Sequence, residues 1–197
     1  MAPRGGGAPW MQSAPADPLW ILDPTEFLPG CWVAGENGVD QCLFGPAAAA
    51  MLNRTGHLPP TVTPQIDVWI DFRHDTSWNR ALWAPPPVVT VRMPFPDGDL
   101  AAAQRVMPLA KDLAASLRRQ GQRFALSCHA GLSRSATVAL WLMAEEMGFD
   151  AAWRRLRALR PWVAPDRAFA PLIQDIRAAT VHPRPSLPHD RRTHDTT

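Results

Sequence analysis

RFALSCHAGLSRSATVALWLMAEEM, residues 123–147, decides how this chain folds. It opens on a short apolar run, crosses a polar turn around Gly131, and continues into SATVALWLMAEEM, apolar on nearly every face up to Met143. A short apolar run bounded by turn residues reads as a buried strand. A helix that is apolar all round must lie inside a domain. Strand, tight loop and buried helix in succession make one unit of an alternating α/β fold.

The same alternation extends in both directions. Upstream, CWVAG (31–35), IDVWIDF (66–72) and PVVTVRM (87–93) are further strands, and PAAAAMLNRTG (46–56) is a helix with Pro46 in its first turn and Gly56 beyond its end. HLPPTVTP (57–64) and the triple proline around 84–87 are loops, since neither proline nor the residue before it suits a helix interior. From the N-cap candidate Asp99, residues Leu100, Val106, Leu109, Leu113 and Leu117 keep a helical period as far as Gly121, and Pro108 is expected to kink or split that helix. Gly148 ends the buried helix, Asp150 is expected to cap AAWRRLRALR, and Asp166 to cap a last helix with Phe169, Leu172, Ile173 and Ile176 on one face. The expectation is a compact single α/β domain over residues 19–179, its central sheet mostly parallel and flanked by helices. Residues 1–18 and the tail 180–197 are rich in Pro, Gly, Arg or His without an apolar period and read as disordered.

Composition narrows the function. Of 197 residues 46% are hydrophobic, ample for a core, yet no apolar run is long enough to span a membrane. The start, MAPRGGGAPW, lacks the apolar stretch of a secretory signal. A net charge of +2 gives no reason to expect nucleic acid as a partner. Cys31, Cys42 and Cys128 form neither a CxxC pair nor a zinc spacing, so reduced thiols, a cytoplasmic protein and no metal or other cofactor are expected. A monomer is expected as well. Cys31 and Cys42 read as small buried hydrophobes, with an oxidative partnership of either with Cys128 left open.

The chemistry concentrates at the strand-to-helix loop, where ligands bind in alternating α/β domains. A helix N-terminus offers free N–H groups and partial positive charge to an anion. Gly131 lets the loop curl, so that the N–H groups of His129, Ala130, Gly131, Leu132, Ser133 and Arg134 can face one point. Arg134 can grip two phosphate oxygens at once, which lysine cannot do in that geometry. The same electrostatics favour a thiolate at Cys128, a nucleophile aimed at phosphorus through a cysteinyl-phosphate. The structural alternative is a buried cysteine in a sharp turn with Arg134 on the surface. Strand, glycine, Arg-Ser and buried helix together favour the chemical reading.

Cys128-His-Ala-Gly-Leu-Ser-Arg134-Ser135-Ala-Thr137 resembles the signature of the dual-specificity branch of the cysteine-dependent protein tyrosine phosphatases. FLPGCWVAG resembles that family's opening strand, MPFPD its general-acid segment, and LRPWVAPDRAFAPLIQDI its C-terminal Arg-Pro and Pro-x-x-x-Phe ending, so the likeness runs from Leu19 to Ala179. It implies a metal-free α/β phosphatase domain acting on phosphorylated proteins, at phosphotyrosine and phosphoserine or phosphothreonine. Ser135 matches the family's hydroxyl that helps the thiolate leave. Ser127 stands where the family usually has a histidine that orients the nucleophile; the serine can hydrogen-bond within the loop or simply end a strand.

A leaving oxygen needs a proton, so a carboxyl group should face the loop. In MPFPDGD, Asp97 matches the family's acid, and Asp99 is better placed to cap the following helix. A plain Pro-Asp-Gly turn is the structural alternative for Asp97. Asp71 is expected to pair with an arginine such as Arg73 or Arg80, and His129 to stand at the loop rim. Two other readings remain: a lipid or nucleotide phosphatase, disfavoured for phosphoinositides because the loop has no lysine, and a non-catalytic phosphate-binding module.

Overall fold

The computed structural model describes residues 24–55, 64–74 and 88–180. Both expected tails apart from Thr180, nearly all of the 57–64 loop and the proline run near 84–87 lie outside the described residues. The elements are β1 (Thr25–Leu28), β2 (Cys31–Ala34), α1 (Glu36–Phe44), α2 (Pro46–Thr55), β3 (Val68–Asp71), β4 (Val89–Arg92), α3 (Leu100–Arg119), β5 (Phe124–Ser127), α4 (Arg134–Met147), α5 (Phe149–Leu159) and α6 (Ala170–Ala179). A 3₁₀ turn, Arg167–Phe169, leads into α6.

The strands form one sheet in the order β1-β2-β5-β3-β4. Only β1 runs antiparallel to its neighbour; the other three pairings are parallel. This is the expected α/β domain with its mostly parallel sheet. β5 lies at the centre, with Ser127 opposite Ala34 on one side and Asp71 on the other. The residue that follows, Cys128, therefore leaves the sheet at the carboxyl ends of the strands, where an open α/β sheet places its ligands.

Alternation along the strands divides two cores. Phe124, Leu126 and Cys128 of the β5 segment, with Val68, Ile70 and Phe72 of the β3 segment, face the large core shared with α3 to α6. Ala125 and Trp69 face a smaller core formed with Val39, Cys42, Leu43 and Phe44 of α1 and with Ile66. Every residue of α4 from Arg134 to Leu140 is buried, as its all-round apolarity requires.

Several elements differ from expectation. The sequence reading lacked α1, because ENGVDQCLF has two glycine- or asparagine-class residues in its first turn and a short apolar stripe. It also had no separate β1, an edge strand of four residues. The helix containing Pro108 is neither split nor shortened: α3 runs unbroken over 20 residues. Pro108 deprives the carbonyl of Gln104 of its helical donor, at a residue that is exposed to solvent. The buried stripe of α3 is Ala102, Ala103, Met107, Ala110 and Ala114 rather than the leucines, and Leu109 is 64% exposed. Small side chains let α3 approach α4 closely, while Leu100, Val106, Leu113 and Leu117 pack against the edge of the same core. Asp99 caps α3 as expected, its carboxylate accepting from Ala102 N at 2.9 Å. Asp150 does not cap α5, which starts one residue earlier behind Gly148; it pairs instead with Arg177 of α6 at 3.0 Å. Asp166 caps the 3₁₀ turn ahead of α6. Thr180 is buried and closes α6, its hydroxyl donating to Ile176 O at 2.7 Å. Among the described residues no helix is long and apolar enough to cross a membrane.

At the opposite end of β5 from Cys128, the Asp67 carboxylate accepts from the Arg123 backbone at 2.8 Å and from its guanidinium at 2.9 and 3.3 Å. The side-chain hydrogen bond from Arg123 holds the Asp67 carboxyl below its ordinary value. A depressed carboxyl stabilises the fold above its unfolded pKa and loses that contribution as pH falls through the folded one. Both partners are more than a third exposed, so solvent screening keeps the pair small. Asp67→Asn is expected to cost less than about 1 kcal/mol near neutral pH. Urea midpoints measured down an acid series should show the difference from wild type closing as Asp67 protonates; a difference that widens in acid contradicts the pairing.

Candidate active site

The loop from Cys128 to Ser133 is held from outside by its carbonyl groups. Arg160, buried just beyond α5, donates through Nε to Gly131 O at 2.9 Å and through Nη2 to Ala130 O at 3.2 Å. Its Nη1 reaches Thr25 Oγ1 at 3.1 Å. Leu132 O accepts from Ala164 N at 3.1 Å, and Ser133 O from Thr137 N at 2.8 Å. In a trans peptide the N–H of one residue points opposite to the preceding C=O. Four carbonyls tied outward and along the helix therefore turn the N–H groups of Gly131, Leu132, Ser133 and Arg134 toward the other side, the arrangement of an anion-binding nest.

Gly131 is required at the centre of the curl. Its φ is +70°, and a Cβ there would lie 2.5 Å from Gly35 N, 2.6 Å from Ala34 C and 2.7 Å from Arg160 Nη2. Any side chain would push the loop off β2.

Around the nest stand the groups singled out in the sequence. Cys128 is 1% exposed, and its Sγ accepts from Ser135 Oγ at 3.2 Å. Arg134 is buried, and its Nη1 donates to Phe72 O at 2.8 Å and Phe95 O at 2.7 Å, which fixes the guanidinium between the end of β3 and the segment before α3. Among the described residues, Arg134 Nε is the one buried side-chain nitrogen or oxygen that lacks a hydrogen-bond partner. Asp97 lies opposite in a turn closed by Gly98, which has a φ of +82°; its Oδ1 accepts from Ser133 Oγ at 2.8 Å and its Oδ2 is 3.8 Å from Arg134 Nε. His129 is exposed at the rim, as expected. The structure thus brings Cys128, Arg134, Asp97, Ser135 and the loop from Ala130 to Ser133 to one place.

A cup of N–H groups and guanidinium, open beside a sulfur and a carboxyl group, can hold a tetrahedral dianion with its ester oxygen near the acid. Solved structures with the same architecture include dual-specificity phosphatases and a phosphatase-like protein. Similar chains include human tyrosine phosphatase-like serine/threonine/tyrosine-interacting protein, with a TM-score of 0.57, 18% identity, and coverage of 80% of this chain and 97% of that one. Human DUSP28 has a TM-score of 0.55 at 17% identity, covering 85% of this chain and 98% of that one. A mouse putative dual specificity phosphatase complexed with zinc tungstate has a TM-score of 0.55 at 19% identity, covering 85% and 92%.

This is the dual-specificity phosphatase fold. No family model and no curated protein matches the sequence.

Within the dual-specificity phosphatase fold, this chain's own departure lies at Ser127. Strand alternation turns Ser127 away from the loop, to the face of Trp69 and Asp71. Its hydroxyl accepts from Trp69 Nε1 at 2.7 Å and donates to Asp71 Oδ1 at 3.3 Å. Asp71, wholly buried, is gripped by Arg73 through Nε at 2.8 Å and Nη2 at 3.1 Å, with Arg92 Nε 3.5 Å away. The expected pairing of Asp71 with Arg73 is present; Arg80 lies outside the described residues. Ser127 does end its strand, but its hydroxyl bonds neither within the loop nor to solvent: it ties β5 to Trp69 and Asp71 of β3.

Sequence reasoning assigned no task to Arg160, which looks like one more arginine of the run Arg154, Arg155, Arg157; only the Pro161 that follows sets it apart. Neither did it foresee Trp69 at Ser127 or Ser133 at Asp97, contacts across 58 and 36 residues of chain. Burial pushes the thiol of Cys31 up to about 11 and that of Cys42 up to about 12, so both stay protonated at neutral pH. Cys31 pairs in register with Phe124, four residues before Cys128. That is about 13 Å along the strand, beyond the roughly 7 Å that a disulfide tolerates between Cα atoms.

Ser127→Ala leaves the buried Trp69 N–H without an acceptor and should cost about 1–3 kcal/mol. Ser127→His forces an imidazole against an indole already at hydrogen-bond distance, an overpacking cost of about 1–3 kcal/mol. Both should lower the urea midpoint. A histidine variant as stable as wild type contradicts the packing described.

Proposed function

We propose that the protein is a cysteine-dependent phosphomonoester hydrolase acting on phosphorylated protein side chains, both phosphotyrosine and phosphoserine or phosphothreonine. The observation that carries this reading is the buried Nε of Arg134, which makes no hydrogen bond and stands 3.8 Å from Asp97 Oδ2. A buried donor without a hydrogen bond costs stability unless a ligand satisfies it, and a phosphate oxygen can do so.

In the first step Cys128 Sγ attacks phosphorus as an S–P bond forms and the P–O bond to the leaving group breaks. Asp97 gives its proton to the departing oxygen. The N–H groups of the loop and Arg134 hold the three equatorial oxygens as their charge builds. In the second step the Asp97 carboxylate takes a proton from water, water oxygen bonds to phosphorus, and the S–P bond breaks. Ser135 donates to the sulfur that leaves as thiolate, 3.2 Å from its hydroxyl. Reduced, buried Cys31 and Cys42 suit a reducing compartment such as the cytoplasm, where a thiolate nucleophile survives.

The test is hydrolysis of a small aryl phosphate without added metal, followed from mildly acidic to mildly basic pH. Wild type should turn over, Cys128→Ser should be inactive, and Asp97→Ala should lose about 10²- to 10⁴-fold in kcat. An inactive wild type that still binds vanadate or a phosphopeptide would overturn catalysis and leave a phosphate-binding module. Faster turnover of phosphoinositides or nucleotides than of phosphopeptides would move the substrate to those classes.

A further inference from the structure

The hydroxyl of Ser133 is engaged on both sides by other segments of the chain. It accepts from Asp166 N at 2.9 Å and donates to Asp97 Oδ1 at 2.8 Å. The direction of both bonds follows from the groups: a backbone N–H can only donate, so Ser133 Oγ accepts there and keeps its single hydrogen for the carboxyl. Asp166 is itself held in place, its Oδ1 accepting from Ala168 N at 2.8 Å, and Ser133 is 7% exposed. Ser133 is thus a fixed donor, aimed from the loop at one oxygen of Asp97 and braced from behind by the segment ahead of α6.

We propose that Ser133 is the positioning residue for the Asp97 acid, a role that rests on the hydrolase reading above. An oxygen that already accepts a hydrogen bond is the carbonyl-like oxygen of a protonated carboxyl group. In the acid form the proton is then carried by Oδ2, the oxygen that stands 3.8 Å from Arg134 Nε. When Oδ2 gives that proton to the leaving oxygen, the negative charge spreads onto Oδ1, where the Ser133 O–H already points. The same bond then steadies the carboxylate while it takes a proton from the attacking water, and no atom is gained or lost at Ser133 in either step. Because Ser133 lies within the phosphate loop, it also ties the exposed Asp97 turn to the nucleophile's own loop. Asp97 is 42% exposed and would otherwise be free to turn into solvent.

The experiment is steady-state hydrolysis of p-nitrophenyl phosphate and phenyl phosphate by wild type, Ser133→Ala and Ser133→Thr, each also made with Asp97→Ala. A good leaving group needs its proton less than a poor one. Ser133→Ala should lose about tenfold to a hundredfold in kcat on phenyl phosphate, the worth of a hydrogen bond to a charged group, and clearly less on the nitrophenyl ester. KM and vanadate affinity should stay unchanged. Ser133→Thr keeps the hydroxyl and should restore most of the loss, and with Asp97→Ala the Ser133→Ala change should cost nothing further. Should Ser133→Ala not fold, Ser133→Cys, a far weaker donor, carries the same comparison. Equal losses on both esters, a loss of vanadate affinity, or a full additional loss with Asp97→Ala would each overturn the positioning role while leaving the hydrolase reading intact. A wild type without turnover would overturn both.

Discussion

The contact on which the site depends is the one between Arg160 and the carbonyl oxygens of Ala130 and Gly131. A five-residue stretch of backbone cannot curl its N–H groups inward unless its carbonyls are satisfied elsewhere, because each orphaned buried carbonyl costs as much as a lost hydrogen bond. Arg160 satisfies two of them from a buried position, and a charged donor makes those bonds stronger than neutral ones. Gly131 is the counterpart constraint. It permits the backbone to cross within contact of Ala34 and Gly35 at the end of β2, where any Cβ would collide. With both in place, the inward-turned N–H groups are a property of the main chain, and the side chains of Cys128, Asp97 and Arg134 are left to supply the nucleophile, acid and clamp of the proposed reaction.

Arginine is used throughout as a buried fastener. Arg160 holds the loop, Arg134 joins the ends of two segments through Phe72 O and Phe95 O, and Arg73 closes on Asp71 beneath the nucleophile's strand. A planar, always-charged fork can do this with fixed geometry, and a lysine cannot. The buried charge on Asp71 is matched by Arg73 and Arg92, and Ser127 and Trp69 extend that network across the sheet. Cys128 thus follows a residue locked on one face, so that it emerges on the other with its direction set. Breaking any one member leaves a buried polar group uncompensated, the costly half of such networks.

Much of this was legible in the sequence because it is local. The strand-loop-helix unit of residues 123–147 is a contiguous pattern, and from it followed the parallel sheet and the buried α4; the meeting of Cys128 with Ser135 was implied by the family resemblance of the loop. Asp99 as a cap left Asp97 for the loop by simple elimination, and the structure puts the two where that division requires. What escaped notice was of two kinds. The period read along α3 holds for Leu100, Val106, Leu113 and Leu117, which pack against the core, but Leu109 is exposed, and the fully buried positions are the alanines and Met107, which carry little of the hydropathy signal. The partners of Arg160, Ser127 and Ser133 escaped because each joins parts of the chain far apart in sequence, and no periodicity encodes that. Asp150 belongs with the second kind: its ion pair with Arg177 joins α5 to α6 across 27 residues of chain.

The most direct measurement of the proposed chemistry is to trap the intermediate. Asp97→Ala, mixed briefly with p-nitrophenyl phosphate and quenched in denaturant at mildly alkaline pH, would be digested and its peptides examined by mass spectrometry. The account predicts one phosphate on the peptide containing Cys128, released by iodine or mild acid as an S-phosphate monoester behaves, and absent from Cys128→Ser. Turnover without any phosphate at Cys128, or phosphate carried by a serine or histidine instead, would contradict it.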